Sequence, residues 1–249
     1  MIDIDSCRNI LVIGYGISGK STYNFLKKKG FNVSVYDDIS IEIPDKVENV
    51  VWNEVDLVIK SPAIPFMEHN RHKIIRQANE NNIPVISTFD LFRIYKPNAK
   101  IIAVTGTNGK STTTALTYHI LKKSGFSVQM GGNIGVPYFD LEQSDWYVFE
   151  MSSYELASSK YLNFDIACIL NIEPDHIEIH GNFENYVKAK HLALNNAKLR
   201  IISYEDKLTL AEYANQENVI TISTECEINA NIRVCENALL DNNSDRLIL

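Results

Sequence analysis

The residues best suited to chemistry are Gly106-Thr107-Asn108-Gly109-Lys110-Ser111, with Thr112 and Thr113 leading onward. An apolar β-branched run, Ile101 to Val104, precedes them, and a helical pattern through Ala115, Leu116, Tyr118, His119, Ile120 and Leu121 follows. Strand, glycine loop and helix in that order form a phosphate cradle. The loop turns its N–H groups toward an anion and the helix N-terminus adds its dipole. Lys110 can reach the terminal phosphates of a nucleotide, and the Ser111 hydroxyl can ligate Mg²⁺. The segment is shorter than the usual G-x-x-x-x-G-K-[ST], because Val104 stands where the first glycine would be. The plain alternative is a Gly-rich turn that binds nothing.

A second glycine signature, Gly14-Tyr15-Gly16-Ile17-Ser18-Gly19, also follows an apolar run and opens a helical pattern. This is G-x-G-x-x-G in the context its chemistry needs, and Asp37 ends the next strand-like run. Taken alone it suggests a dinucleotide site with Asp37 on a ribose hydroxyl. The same construction can hold any nucleotide diphosphate, and the separate cradle downstream favours a UDP-type ligand. A tight strand–helix turn, with Asp37 a solvated strand end, is the bland reading.

Two further clusters belong to strand ends. Glu150 closes the run Trp146-Tyr147-Val148-Phe149, and a carboxylate there can hold Mg²⁺ through oxygen. Asn171-Ile172-Glu173-Pro174-Asp175-His176 follows Ile166 to Leu170, so Asp175 and His176 can serve a second metal or orient water. Lys190, on the pattern Tyr186 to Leu194, reads from spacing alone as a surface lysine. His69, His72, His119 and His191 read as ordinary polar residues, and His180 stays open as the end of the His176–His180 segment.

These groups need strands that end together. Strand and helix patterns alternate nearly throughout, which predicts an α/β fold with mainly parallel sheets. Strands are expected over 9–14, 33–37, 56–60, 84–87, 127–130, 146–150, 165–170, 199–203 and 219–222, besides the cradle strand from Lys100. Helices are expected over 18–29, 68–82, 88–95, 111–123 and 183–198, and Cys226 to Leu249 is weakly patterned. Lys96-Pro97-Asn98 reads as a linker. It divides a Rossmann-like parallel-sheet domain (1–97) from a P-loop NTPase-like α/β domain (98–249).

The bulk properties agree. The chain has 249 residues, 45% hydrophobic and 22% charged, with net charge −7 and pI near 5.4. No global basic field invites nucleic acid or an anionic membrane. No apolar stretch approaches the ~20 residues a spanning helix needs, and the acidic N-terminus argues against a targeting peptide. Cys7, Cys168, Cys226 and Cys235 lack metal-site spacing. Cys7 and Cys168, beside apolar runs, read as reduced and mostly buried thiols of a cytoplasmic protein.

Together, the GTNGKSTTT segment, Glu150-Met151-Ser152-Ser153, Gly132-Asn133-Ile134-Gly135 and Asn171-x-x-x-Asp175-His176 resemble the Mur ligases of peptidoglycan synthesis. The N-terminal G-x-G-x-x-G, Asp37 and Ser61-Pro62-Ala63-Ile64-Pro65 are most similar to members that add D-glutamate to UDP-N-acetylmuramoyl-L-alanine. The likeness covers about residues 9–200. It implies a cytoplasmic enzyme of cell-wall biogenesis that uses ATP and Mg²⁺ to form an amide through an acyl phosphate. It also implies action as a monomer. By this resemblance Ser111 and Glu150 hold one magnesium and His176 helps hold another, while Lys190 falls where the family carries a carbamylated lysine. Asn133 and Ser152 would contact the muramoyl substrate, and Ile17, Ser18 and Asp37 would face the uridine end.

The sequence departs from the family at several points. Ala63 replaces a glycine, Asp38-Ile39 lacks a nearby arginine, Glu155 stands where glutamine is frequent, and Glu178 replaces an aspartate. Glu155 would add negative charge beside the substrate. The family's C-terminal domain, with the D-glutamate site, has no counterpart in these residues. This chain alone is therefore expected to bind nucleotides without completing a cycle. Two other readings remain: a non-catalytic nucleotide-binding fragment, and an NAD(P)-binding oxidoreductase.

Overall fold

Runs of Val, Ile and Leu suit strands buried on both faces of a parallel sheet, and they form the centre of two sheets here. The structure, a computed structural model, describes residues 2–39, 43–225, 228–235, 238–241 and 246–247. The first sheet is built from β1 (Asn9–Ile13), β2 (Asn32–Tyr36), β3 (Leu57–Lys60) and β4 (Val85–Ser87), with α1 (Ile17–Lys28), α2 (Lys73–Glu80) and α3 (Thr88–Tyr95) between and after them. Its order is β2-β1-β3-β4, and every pairing is parallel.

The second sheet begins with β5 (Lys100–Thr105), followed by α4 (Lys110–Lys123), β6 (Val128–Gly132), β7 (Trp146–Glu150), α5 (Ser153–Ser158) and β8 (Phe164–Ile169). Then come α6 (Ile177–His180), α7 (Phe183–Asn195), β9 (Ala197–Ser203), α8 (Lys207–Tyr213) and β10 (Val219–Ser223). Three short strands close it: β11 (Ile232–Cys235), β12 (Ala238–Asp241) and β13 (Arg246–Leu247). The order is β13-β12-β11-β10-β9-β8-β5-β7-β6, parallel except where β12 pairs with β11 and β13.

Strand order reverses at β1, flanked by β2 and β3, and at β5, flanked by β8 and β7. Such a switch splays the connections apart and opens a crevice at the carboxyl ends of the strands. Each glycine loop follows one of these two strands.

Helix α3 ties the sheets together. Ser87 and Asp90 form a reciprocal capping box, and the other Asp90 oxygen accepts from the N–H groups of Lys160 and Tyr161, each at 2.7 Å. Leu91 packs in the core of the first sheet, whereas Phe89 and Phe92 enter that of the second. There Tyr138 and Phe149 lie against Phe89 and Phe92 at centroid distances of 5.3 to 6.4 Å and 4.9 Å from each other, a geometry that adds to simple burial.

Several expectations need correction. The segment 68–82 holds a 3₁₀ turn, Glu68–Asn70, and then α2. His72 breaks the pattern because its Nδ1 accepts from Ile74 N at 3.2 Å as the helix cap. The helix from Phe183 stops at Asn195, since Ala197 already pairs with Phe164 in the sheet. His191 is no ordinary polar residue: it is buried and lies 3.0 Å from Glu212 and 3.3 Å from Thr209. Helices α5, α6 and α8 were not expected, nor was the antiparallel ending in the weakly patterned stretch. Cys7 is a buried free thiol and Cys168 a half-buried one. Cys226 and the side chain of Cys235 lie outside the described residues. Among the described residues no helix is long and apolar enough to cross a membrane.

Candidate active site

The loop after β5 is shaped by two glycines at positive φ. Gly109, at φ 82°, begins α4, and Gly106 runs so close to Leu170 and Asn171 that a Cβ would lie 3.1 and 3.3 Å from them. The segment after β8 braces this loop. Thr107 N donates to Asn171 O at 2.9 Å, Asn108 N to Asn171 Oδ1 at 2.8 Å, and Glu173 N to Thr107 Oγ1 at 2.9 Å. Tyr186 OH stands 3.0 Å from Thr107 Oγ1. Lys110 folds over the loop and donates to Thr107 O at 2.8 Å. Thr112 and Thr113 lie in the first turn of α4.

Ser111, on the same turn, donates to Glu150 Oε2 at 2.7 Å. The other oxygen of Glu150 accepts from Asn133 Nδ2 at 2.9 Å, and its carbonyl accepts from Asn133 N at 2.9 Å. Glu150 is only 2% exposed, so these bonds are what stabilise its carboxylate. The close pass at Asn133 depends on Gly132, at φ 98°, where a Cβ would overlap the Glu150 carbonyl oxygen.

Lys190 departs from its reading by spacing. It is 2% exposed, and its Nζ donates to Gly106 O at 2.6 Å and lies 4.8 Å from the Tyr186 ring centre. Burial first, and then the charge of Lys110, push its pKa down to about 7, against the pull of Asp175 and Glu150. Helix α7 places it on the inward stripe with Tyr186, Ala189 and Ala193. The alternating Lys188-Ala189-Lys190 pattern hides this.

His176 has left-handed backbone, φ 51°, at the start of α6. Its ring lies 3.4 Å from Asp175 Oδ2, 3.8 Å from Glu178 Oε1, and 4.9 and 6.3 Å from the ring centres of Tyr154 and Tyr186. Lys110, Ser111, Glu150 and Lys190 thus gather around one loop, and His176 reaches them across Tyr186. His180 is fully buried, with Nε2 3.0 Å from Ser153 Oγ.

The first glycine loop is braced in a parallel way. Asp37 Oδ2 accepts from Tyr15 N at 2.7 Å and Oδ1 from Ile39 N at 2.9 Å, while Ser61 Oγ donates to Gly14 O at 2.8 Å. A cavity of about 590 Å³ opens over this loop. Ile17 (78% exposed), Ser18 and Asp37 line it from the first sheet, and Gly132, Asn133 and Gly135 line it from the second. Asn133 therefore faces this cavity while holding Glu150, so one side chain joins the two loops.

Asp38 also lines this cavity. His72 Nε2 lies 2.7 Å from it, Lys73 Nζ 3.1 Å and Tyr36 OH 2.9 Å, and these partners hold its pKa down at about 2.

Ser152 and Glu155, both named by the resemblance, lie at the start of α5. Ser152 caps α5, accepting from Glu155 N at 3.2 Å, and is not among the residues lining the cavity. Glu155 is 1% exposed and lies beneath the surface with Tyr138 and Lys60 as electrostatic partners. Burial raises its pKa to about 7, so its charge beside the cleft is only partial near neutrality. Lys60, 1% exposed and pushed down to about 8, was missed. The signal was present, because it ends an apolar strand run.

A magnesium ion fits this donor set. Ser111 Oγ and Glu150 Oε2 are hard oxygen donors 2.7 Å apart, near the spacing of adjacent corners of a small octahedral site. Among the described residues no group of three His, Cys, Asp or Glu side chains could hold a metal alone. Mg²⁺ usually takes one or two carboxylates plus water and phosphate, so the sparse set suits it.

Residues 104–245 match the Mur ligase middle domain. The chain is 38% identical over 215 residues to the UDP-N-acetylmuramoylalanine–D-glutamate ligase of Wolbachia pipientis wMel, covering 81% of this chain and 42% of that protein. It is 38% identical over 245 residues to the ligase of the same name from Leptospira interrogans (serovar Lai, strain 56601), covering 94% and 50%. The chain thus spans about half the length of the curated relatives it matches. The solved UDP-N-acetylmuramate-alanine ligase MurC of Thermotoga maritima superposes with a TM-score of 0.60 at 23% identity, over 97% of this chain and 59% of that one. The MurF ligase of the same organism, in complex with ADP, gives 0.51 at 17% identity, over 97% and 56%. Identities this low establish the shared fold alone. The match over 104–245 spans more than half of the sequence, and the chain belongs to the Mur ligase family.

Proposed function

We propose that this chain carries the nucleotide and carboxylate sites of a ligase that joins D-glutamate to UDP-N-acetylmuramoyl-L-alanine with cleavage of ATP. The observation that carries the reading is the bonded series Ser111–Glu150–Asn133, which links the phosphate cradle to the cavity over the first glycine loop. Chain 1–97 serves the UDP end and chain 98–249 the ATP end.

In this reading the UDP-sugar lies along the first cavity, with its uridine toward Ile17, Ser18 and Asp37 and its muramoyl part toward Asn133 and Ser152. The peptide carboxylate then points at Glu150. ATP rests on Gly106, Thr107, Asn108, Gly109, Ser111, Thr112 and Thr113. Lys110 leaves Thr107 O for the terminal phosphates, and its charge helps offset that of the transferring group. Attack of the substrate carboxylate on the γ-phosphorus releases ADP and gives an acyl phosphate. The amine of D-glutamate then displaces phosphate to form the amide.

Ser111 and Glu150 would hold one Mg²⁺, which supplies charge neutralisation at the phosphates, and His176 would help hold a second. As an ammonium, Lys190 would repel these ions. Its lowered pKa leaves a large neutral fraction near pH 7, and only the free amine adds CO₂, forming a carbamate and releasing a proton. That change turns a cation into an oxygen ligand.

Calorimetric titration tests the reading with MgATP, UDP-N-acetylmuramoyl-L-alanine and NADH in turn. Binding of the first two without NADH is expected. NADH binding without UDP-sugar binding would replace this reading by an oxidoreductase.

A further inference from the structure

A second cavity, of about 290 Å³, lies between the two sheets. Residues 60–70, after β3, wall it on one side, and α5 and α6 on the other. The stretch 62–65 lines both this cavity and the 590 Å³ one, whereas neither glycine loop reaches the smaller. Most of its wall is apolar, including Phe66, Met67 and Ile179. An apolar cavity of about 150 Å³ takes a benzene ring, so this one has room for an aryl or branched alkyl group.

Three buried polar groups in that wall lack adequate partners. Lys60 is 1% exposed, and its Nζ, 5.7 Å from the Phe66 ring centre, makes a single long hydrogen bond among the described residues, to Ser61 O at 3.3 Å. An ammonium carries three donors, and a buried one is costly unless its charge is met by hydrogen bonds and an anion. Glu155 and Asp90 act on it from a distance, but neither forms an ion pair with it. Asn70 donates from Nδ2 to Ile179 O at 3.4 Å, while its Oδ1 is buried without a partner. His180 is fully buried, with Nε2 occupied by Ser153 Oγ and Nδ1 unpartnered. An apolar pocket with a few convergent polar groups is the usual form of a small-molecule site. The ammonium calls for an anion, and the amide oxygen calls for a donor.

We propose that this cavity binds a small free carboxylic acid with an apolar body and one hydroxyl or N–H donor, its carboxylate on Lys60 and its donor on Asn70. The site is separate from the cavity over the first glycine loop, and the stretch 62–65 forms the wall between them. The inference rests on the cavity and its polar groups, and not on the reaction proposed above.

The probe is 3-hydroxybenzoate, which carries both groups on one ring, and its neutral counterpart is 3-hydroxybenzamide. The chain is labelled at methionine ε and isoleucine δ1 methyls and titrated by NMR. The acid should shift Met67 and Ile179 and leave Ile17, which lines the other cavity, unmoved. The amide should bind at least about tenfold more weakly, because a charge-assisted bond is lost. Lys60→Met should lose acid binding to a similar extent while MgATP affinity stays unchanged. The acid–amide comparison uses the wild-type chain and stands whatever that variant does. The proposal fails if acid and amide bind alike, if Lys60→Met binds the acid as the wild type does, or if no methyl moves at about 10 mM acid. It also fails if Ile17 shifts while Met67 and Ile179 stay still, which would assign the carboxylate to the UDP-type cavity.

Discussion

The two glycine loops share a plan and differ in what fills it. Each follows a strand where the order reverses, and each is braced by a polar side chain from beyond an adjacent strand: Asp37 after β2, Asn171 after β8. The first loop is a mould. Asp37 accepts from two backbone N–H groups, and α1 packs so tightly that Gly19 has no room for a Cβ. The second loop is loaded with charge, with Lys110 and buried Lys190 around buried Glu150. Shape should therefore be the sensitive variable in the first loop, and charge in the second.

The largest expected effect tests shape. In Gly19→Ala the new methyl would overlap the Gly14 carbonyl oxygen and crowd Ser61 Oγ, both fixed by the strand ends they belong to. Backbone cannot yield as a side-chain tip does, so a loss of about 3 kcal/mol or more is expected. At about 2–4 °C per kcal/mol for a chain of this size, the melting temperature should drop by about 6 °C or more. A drop under 2 °C in a thermal scan would mean that the loop is not a rigid mould.

Charge is tested by pH. Unfolded, Lys190 titrates near 10.5, and folded near 7. Between those values the unfolded chain binds a proton that the folded chain does not, so stability rises with pH from about 7 to about 10.5. Glu155 acts in the opposite sense. Its folded value near 7 lies above its usual 4.5, so the folded chain keeps a proton the unfolded chain has released, and stability falls from pH 4.5 to 7. Urea titrations of Lys190→Met should show a flatter rise above pH 7, by on the order of a few kcal/mol. Part of the rise should survive, because Lys60, lowered to about 8, acts in the same direction. Glu155→Gln should flatten only the arm below pH 7. Wild-type slopes in both variants would show that neither buried charge is strained.

The contrast also explains what could be read from sequence. Glycine spacing after an apolar run is a local signal, and Gly14–Gly19 and Gly106–Ser111 both stand at strand ends as expected. Glu150 was legible for the same reason, since four apolar residues before a carboxylate mark a buried strand end. Lys190 was not, because burial of a helical lysine depends on which stripe meets the sheet and on Gly106 O waiting for it 84 residues away. The burial of Glu155 was no more legible. Its position after Ser152 was plain, but its burial among Tyr138 and Lys60 is set by the meeting of two sheets. The short α5 and α6 have too few residues for a periodic pattern; Ser152 caps α5, and α6 begins at left-handed His176 without a side-chain cap bond.

A smaller effect should separate Glu150 from its neighbours. Glu150→Gln keeps the shape and the acceptor for Ser111 Oγ, but removes the charge. Loss of a charge-assisted contact is worth roughly 1.5–3 kcal/mol, or ten- to a hundredfold in affinity. The loss should appear in MgATP titrations and vanish when excess EDTA removes the metal. An equal loss with and without metal would assign Glu150 to loop architecture instead.

The smallest expected effect returns to the first loop and guards the comparison against a trivial reading, in which any glycine change there is harmful. Gly16 lies three residues from Gly19 in the same motif. Its φ is −66°, a value any residue adopts, and a Cβ built on it meets nothing within 4 Å. It caps α1 without a side-chain bond, so alanine there forfeits little, and the lower entropy of the unfolded chain acts in its favour. Gly16→Ala should therefore stay within about 0.5 kcal/mol of wild type. Because Gly16 lines the 590 Å³ cavity, its added methyl should instead weaken UDP-sugar binding, read by titration. Retained stability with weakened binding would assign Gly16 to the ligand and Gly19 to the fold. Loss of stability in both variants would leave the first loop with no division between mould and contents.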